Sequence, residues 1–252
     1  MTSLVQPLAA GPADTVAVTR ALAYLVIAVA STILLYYLYT YVRFVLAEPY
    51  RHRWWYLGVG IAAGVVYGVS GLLDVLTPWE WPALFVEGAA LFFILFLALG
   101  MRAMYFMGRG GDGEDQSVLP AWADYLVIGA FIVAWWTGFL TAQHAWIAGV
   151  QAVGWILATA WALFYAVRAV RKHEGTSIAA LVRHLMPALL SFTVIVGAEL
   201  LAQFTTDYDT LVTAALIVGT VLVGAFLFTT AVAIRQQGGE VERMYDWTTW
   251  RG

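Results

Sequence analysis

Residues 83–100 read ALFVEGAALFFILFLALG, an apolar run in which Glu87 is the one charged residue. A run of about 18 or more such residues is long enough to cross the hydrocarbon core of a bilayer as a helix. The whole chain has this character, because 62% of its 252 residues are hydrophobic and 12% are charged. A water-soluble domain has about 25% charged residues, so the composition predicts an all-α integral membrane protein.

Seven apolar stretches are long enough to form spanning helices, and together they predict a single seven-helix membrane domain. The longest connection, residues 108–120 (GRGGDGEDQSVLP), combines four glycines with three carboxylates and is predicted to be a flexible cytoplasmic loop. Residues 235–252 are predicted to form a short cytoplasmic tail. The predicted spans cover residues 16–45, 54–77, 82–106, 122–142, 146–170, 181–204 and 211–234.

The basic residues predict the orientation of the chain. In a seven-span arrangement all of the 13 lysines and arginines except Arg20 fall on one side. Positively charged loops stay in the cytoplasm. We therefore expect a protein of the plasma membrane with its amino terminus outside the cell and its carboxyl terminus in the cytoplasm. Lys172 is the only lysine, and this arginine-rich usage suits a GC-rich, haloarchaeal source.

The first three and last three helices share landmarks at a constant offset of 125 residues. This offset pairs Asp74 with Glu199 and Val42-Arg43 with Val167-Arg168, at equivalent helix ends in both halves. The pattern indicates a 3+1+3 duplication with parallel halves, related by an axis along the membrane normal. Matches between apolar residues are common by chance in such a chain, so independent segments are the alternative.

Polar side chains inside the spans lie mostly in the predicted outer half. Ionisable groups are costly there and usually face the bundle interior, so they predict a cavity for a ligand, a cation or a proton. For Asp74 and His144 the alternative is a solvated position at the interface. For Glu87 and Glu199 it is a protonated or hydrogen-bonded structural carboxyl. The predicted ligand-binding residues are Tyr67, Ser70, Asp74, Glu87, His144, Gln151, Trp155, Glu199 and Gln203.

Three glycines, Gly60, Gly64 and Gly68, form a stripe on one face of the second helix. Small residues at this spacing let another helix approach closely, so helix packing is the expected role of the stripe.

Enzymatic function is not expected, and we predict neither a catalytic residue nor a metal site. The chain has no cysteine, no phosphate-binding Gly-rich loop ending in GK[ST], and no Gly-x-Ser-x-Gly elbow. The histidines are not paired on facing helices as haem ligation requires, and no metal-ligand spacing occurs. Nothing in the composition indicates nucleic-acid binding.

Seven helices with an external amino terminus resemble the microbial opsins in topology. The resemblance covers the whole chain and implies a seven-helix bundle. It does not extend to the chromophore, because residues 211–228 read LVTAALIVGTVLVGAFLF and lack the lysine that would link retinal. Covalent retinal is therefore excluded, and the identity of any cofactor stays open. The 3+1+3 pattern is also similar to that of Pro-Gln loop transporters, although the chain has no Pro-Gln pair.

The leading functional prediction is a non-enzymatic membrane protein that binds a small or lipophilic ligand in its outer half for sensing or signalling. The first alternative is a secondary or proton-coupled transporter, and the second is a structural subunit of a membrane complex. The expected partners are the lipid bilayer, the ligand, and another membrane protein or a second copy of the chain.

Overall fold

The computed structural model describes residues 12–42, 55–79, 81–106, 122–140, 145–204 and 209–245. Each of the seven predicted apolar stretches forms a helix there. Such runs favour helices because a helix pairs all its backbone groups internally, without water. In chain order the helices are α1 (Pro12–Tyr37, continued by a π-helical turn at Leu38–Val42), α2 (Trp55–Leu76), α3 (Trp81–Phe106), α4 (Trp122–Leu140), α5 (Ala145–Lys172), α6 (Ser177–Phe204) and α7 (Asp209–Tyr245).

The described helices identify the chain as a multi-pass membrane protein. Six helical segments among the described residues are long and apolar enough to cross a bilayer. Helix α4 contributes none of these segments, and part of its side chains lie outside the described residues. Helix α7 continues to Tyr245, beyond residue 234 where its span was predicted to end. An apolar run marks the membrane-embedded part of a helix, and the helix can continue into water beyond it. The six spans are Thr15–Tyr41, Trp55–Leu76, Trp81–Phe106, Val153–Lys172, Ile178–Ala198 and Thr210–Gln236.

Six helices pack into a closed ring in the order α1, α2, α3, α5, α6 and α7, with α7 returning to α1. Helix α4 lies outside this ring and packs against α3, where Phe131 meets Phe92 edge to face at 5.5 Å between ring centroids. Other side chains of α4, such as Tyr125 and Val133, are exposed. The ring arrangement therefore joins helices from both halves of the chain.

The glycine stripe on α2 lies in its contacts with α1 and α3. A Cβ atom on Gly68 would lie 2.6 Å from the backbone nitrogen of Ala28 in α1. A Cβ atom on Gly60 would lie 3.2 Å from the backbone nitrogen of Leu97 in α3. The predicted packing role of the stripe is confirmed, because a Cβ atom would clash with the α1 backbone at Gly68 and would be in tight contact with the α3 backbone at Gly60.

At one end of the bundle, α2 and α6 begin and α3 and α5 end. Gly100 near the end of α3 lies against Leu57 near the start of α2. Tyr105, one turn further along α3, contacts Tyr165 of α5 at 5.6 Å between ring centroids. We call this the Arg168 end and the opposite end, where α2 and α6 finish, the Asp74 end.

Candidate functional site

Four buried aromatic side chains form a layer across the middle of the ring. Tyr67 of α2 meets Tyr24 of α1 edge to face at 5.5 Å and Phe192 of α6 at 5.0 Å between ring centroids. Phe192 in turn stacks on Phe93 of α3 at 4.5 Å. All four are buried. This aromatic layer, Tyr24, Tyr67, Phe93 and Phe192, links four helices and separates the Asp74 end from the Arg168 end.

The polar residues of α2 lie on the Asp74 side of the aromatic layer. Ser70 is about 4.5 Å and Asp74 about 10.5 Å further along the helix axis than Tyr67, at 1.5 Å per residue. Tyr67 and Ser70 are 1% and 5% exposed, whereas Asp74 is half-buried. The buried face of α2 thus leads from the aromatic layer towards a carboxylate near the helix end.

Helix α5 contributes Trp155 on the same side of the layer. The hydroxyl of Thr193, next to Phe192, donates to the hydroxyl of Thr159 on α5 at 3.4 Å. Thr159 therefore lies at the level of the aromatic layer. Trp155 lies one turn from Thr159 towards the Asp74 end, is 8% exposed, and its Nε1–H has no acceptor among the described residues. A buried donor without an acceptor is costly, so Trp155 is where a ligand acceptor would be stabilising.

A second buried group without a partner lies on the opposite side of the layer. Ser31 of α1 is fully buried, and its Oγ has no hydrogen-bond partner in the described part of the chain. It lies opposite Gly64, where a Cβ atom would be 2.8 Å from Ser31 Oγ. Ser31 therefore belongs to the Arg168 side, one turn below Tyr67.

Of the remaining predicted site residues, only the side chain of Glu87 is described, and it does not reach this core. Glu87 is exposed near the start of α3. Gln151 belongs to α5, and Glu199 and Gln203 belong to α6, but their side chains lie outside the described part of the structure. His144 also lies outside the described residues. Among the predicted residues whose side chains the structure describes, Tyr67, Ser70 and Trp155 are buried.

No cluster of three or more His, Cys, Asp or Glu side chains suited to a metal ion occurs among the described residues. The buried polar groups around the aromatic layer are hydroxyls and an indole N–H, which bind neutral hydrogen-bonding groups. Their surroundings are apolar. This chemistry fits a lipophilic molecule that carries a hydrogen-bond acceptor.

Sequence reasoning did not single out Phe93, Phe192 or Tyr24 for the site. Each of them is an ordinary apolar or aromatic member of a spanning helix when considered alone. One signal was available for Phe192, because it lies 125 residues after Tyr67, at the same offset that pairs Asp74 with Glu199.

Comparisons of the chain with protein-family models, with characterised proteins and with solved structures gave no match.

Proposed function

We propose that the chain is a non-enzymatic seven-helix protein of the plasma membrane that binds a small lipophilic ligand for sensing or signalling. The binding site would lie in the predicted outer half, on the Asp74 side of the aromatic layer. In this proposal α4 is the seventh span, the topology is opsin-like, and the amino terminus is outside. The distribution of basic residues supports that orientation.

The buried indole N–H of Trp155 is the observation that carries this proposal. It has no acceptor among the described residues, and it lies one turn from the level of Phe192. Ser70 adds a second buried polar group on the same side. A ligand with a carbonyl, ester or ether oxygen would satisfy the indole and place its apolar part against the aromatic layer.

Extraction and mass spectrometry of the purified protein test the proposal. The wild-type protein, prepared in mild detergent, should retain a stoichiometric lipophilic compound. Trp155→Phe keeps an aromatic ring but removes the N–H donor, so the compound should be lost or reduced at least tenfold. Trp161→Phe, on the same helix and packed on Tyr165 at 5.1 Å, is the matched control and should retain it. Equal retention by both variants would contradict the site.

A carrier is the second candidate, and the contact between Tyr67 and Phe192 supports it. In a 3+1+3 repeat with parallel halves, equivalent residues that reach the axis between the halves contact each other there, as Tyr67 and Phe192 do. Neighbouring helices also repeat, since α1–α2, α2–α3 and α3–α5 correspond to α5–α6, α6–α7 and α7–α1. Ser31 supplies a buried polar group on the far side of the layer, as a transport path needs.

Proteoliposome measurements separate the two candidates. A receptor would bind the extracted compound without moving it across the bilayer. A carrier would accumulate the labelled compound inside the vesicles, and a smaller side chain in the aromatic layer, as in Phe192→Leu, would change the rate.

A further inference from the structure

We propose that the α5–α6 corner at the Arg168 end is a binding site for the headgroup of an anionic phospholipid. The site consists of Arg168, Arg171 and Lys172 in the last five residues of α5, together with an apolar face of the same helix. This proposal is independent of the ligand site on the Asp74 side. The two sites are at opposite ends of the bundle.

The three cations are neighbours on one helix surface. Arg171 follows Arg168 by three positions and Lys172 follows it by four. Residues at these spacings are neighbours on the surface of a helix. All three are exposed. Like charges at this spacing repel one another, so an anion bound between them would relieve the repulsion. The carboxyl end of α5 also favours cations at this position.

Two of the three cations are held in place by aromatic side chains. The guanidinium of Arg168 lies 4.1 Å from the centre of the Phe164 ring. The ammonium of Lys172 donates to the backbone oxygen of Tyr105 at 2.7 Å and lies 5.0 Å from the Tyr105 ring. These contacts position the charges at the boundary of the span before any lipid binds, which lowers the entropic cost of binding.

In the described part of the chain, no carboxylate neutralises Arg168 or Arg171. Glu174 lies in the turn that follows α5, and its Oε1 is 3.9 Å from Arg183 of α6. Both side chains are more than half exposed. Arg168 and Arg171 have no carboxylate within ion-pair distance among the described residues. Within the described part of the chain, the charges of Arg168 and Arg171 are therefore uncompensated at the level where lipid phosphates lie.

The surface of α5 next to these arginines fits acyl chains. Leu157, Phe164 and Val167 are exposed by 63%, 48% and 39%, and they share the helix face that ends at Arg168 and Arg171. Helix α5 is a candidate span from Val153 to Lys172, so this face meets the hydrocarbon and the arginines meet the headgroup level. A phospholipid matches both the apolar face and the arginines, whereas a soluble phosphate matches only the arginines.

Native mass spectrometry of the full chain with added lipid tests the proposal. The wild-type protein should bind palmitoyl-oleoyl phosphatidylglycerol at least tenfold more tightly than the phosphatidylcholine of the same chains. Arg168→Gln with Arg171→Gln should remove this preference, since each cation near the surface contributes about fivefold in affinity. The control variant, Arg20→Gln with Arg235→Gln, removes the same number of positive charges elsewhere and should keep the preference for phosphatidylglycerol. Arg171→Gln alone, at an exposed position, should show an intermediate loss if the double variant does not fold.

Three results would overturn the proposal. One is equal binding of the two lipids by the wild-type protein, and another is an equal loss in the test and control variants. The third is displacement of phosphatidylglycerol by millimolar inorganic phosphate together with undiminished binding of dihexanoyl phosphatidylglycerol, which would assign the corner to a soluble phosphate.

Discussion

The rings of Tyr67 and Phe192 meet edge to face across the centre of the bundle, with centroids 5.0 Å apart and ring planes at 62°. The two residues are 125 positions apart, the offset that also relates Asp74 to Glu199. Their helices are not neighbours in the ring, so this contact joins opposite walls. Side chains at this position decide how closely α2 and α6 approach.

The Tyr67–Phe192 contact should appear as a coupling energy in a double-mutant cycle. We expect about 1 kcal/mol of coupling between Tyr67→Leu and Phe192→Leu in the free energy of unfolding, because edge-to-face rings attract beyond their buried area. Unfolding by sodium dodecyl sulfate in mixed micelles measures it. The control cycle combines Tyr67→Leu with Phe164→Leu, at an exposed position on α5. The changes in the free energy of unfolding should be additive in this control. A coupling no larger than in this control would contradict the role of the contact.

Gly68→Ala should destabilise the protein by about 1–3 kcal/mol. The new Cβ atom would lie 2.6 Å from the backbone nitrogen of Ala28, and a backbone atom cannot move aside as a flexible side chain can. Gly154→Ala on α5 is the control, because nothing lies within 4 Å of its Cβ position. The control should be neutral or stabilising, since alanine favours a helix over glycine. Thermal unfolding in detergent compares the two, and equal melting temperatures would argue against a close α1–α2 approach.

Ser31→Ala should leave stability unchanged or raise it by up to about 1 kcal/mol. The substitution removes a buried hydroxyl that has no partner among the described residues. Thr230→Val provides the contrast. The Thr230 hydroxyl shares its one hydrogen between the backbone oxygen of Phe226 in its own helix at 2.7 Å and that of His184, across the α6–α7 contact, at 3.1 Å. Its loss should cost about 0.6 kcal/mol, the typical size of such a bond in a membrane protein. A marked destabilisation by Ser31→Ala would reveal a partner for that hydroxyl.

Closure of the ring between α1 and α7 can be tested by cross-linking. A Cβ atom on Gly224 would lie 2.6 Å from Cγ1 of Val26, so cysteines at these positions are close enough for a disulfide. The chain contains no native cysteine, so the pair would react without competition. Val26→Cys with Gly224→Cys should cross-link rapidly under mild oxidation. Val26→Cys with Gly154→Cys should not, and equal yields would contradict the ring order.

The position of each apolar helical segment could be read from the sequence, although the end of α7 could not. The run at residues 83–100 indicates a spanning helix by its length and composition, and Trp81–Phe106 is helical in the structure. The Gly60, Gly64 and Gly68 stripe also predicted a close contact correctly. Both signals are local, because a membrane helix satisfies its own backbone hydrogen bonds and glycine spacing is visible within one helix.

The arrangement of the helices was decided by the tertiary structure. Nothing in Trp122–Leu140 indicates that α4 lies outside the ring, because lipid-facing and buried surfaces are equally apolar and leave no hydrophobic pattern to separate them. Likewise Phe192 and the exposed Phe164 are alike in sequence, yet one lies in the aromatic layer and the other beneath Arg168. The sequence alone determined which segments form long apolar helices, through their length and polarity. Which side chains meet inside depended on packing between helices that are distant in the chain.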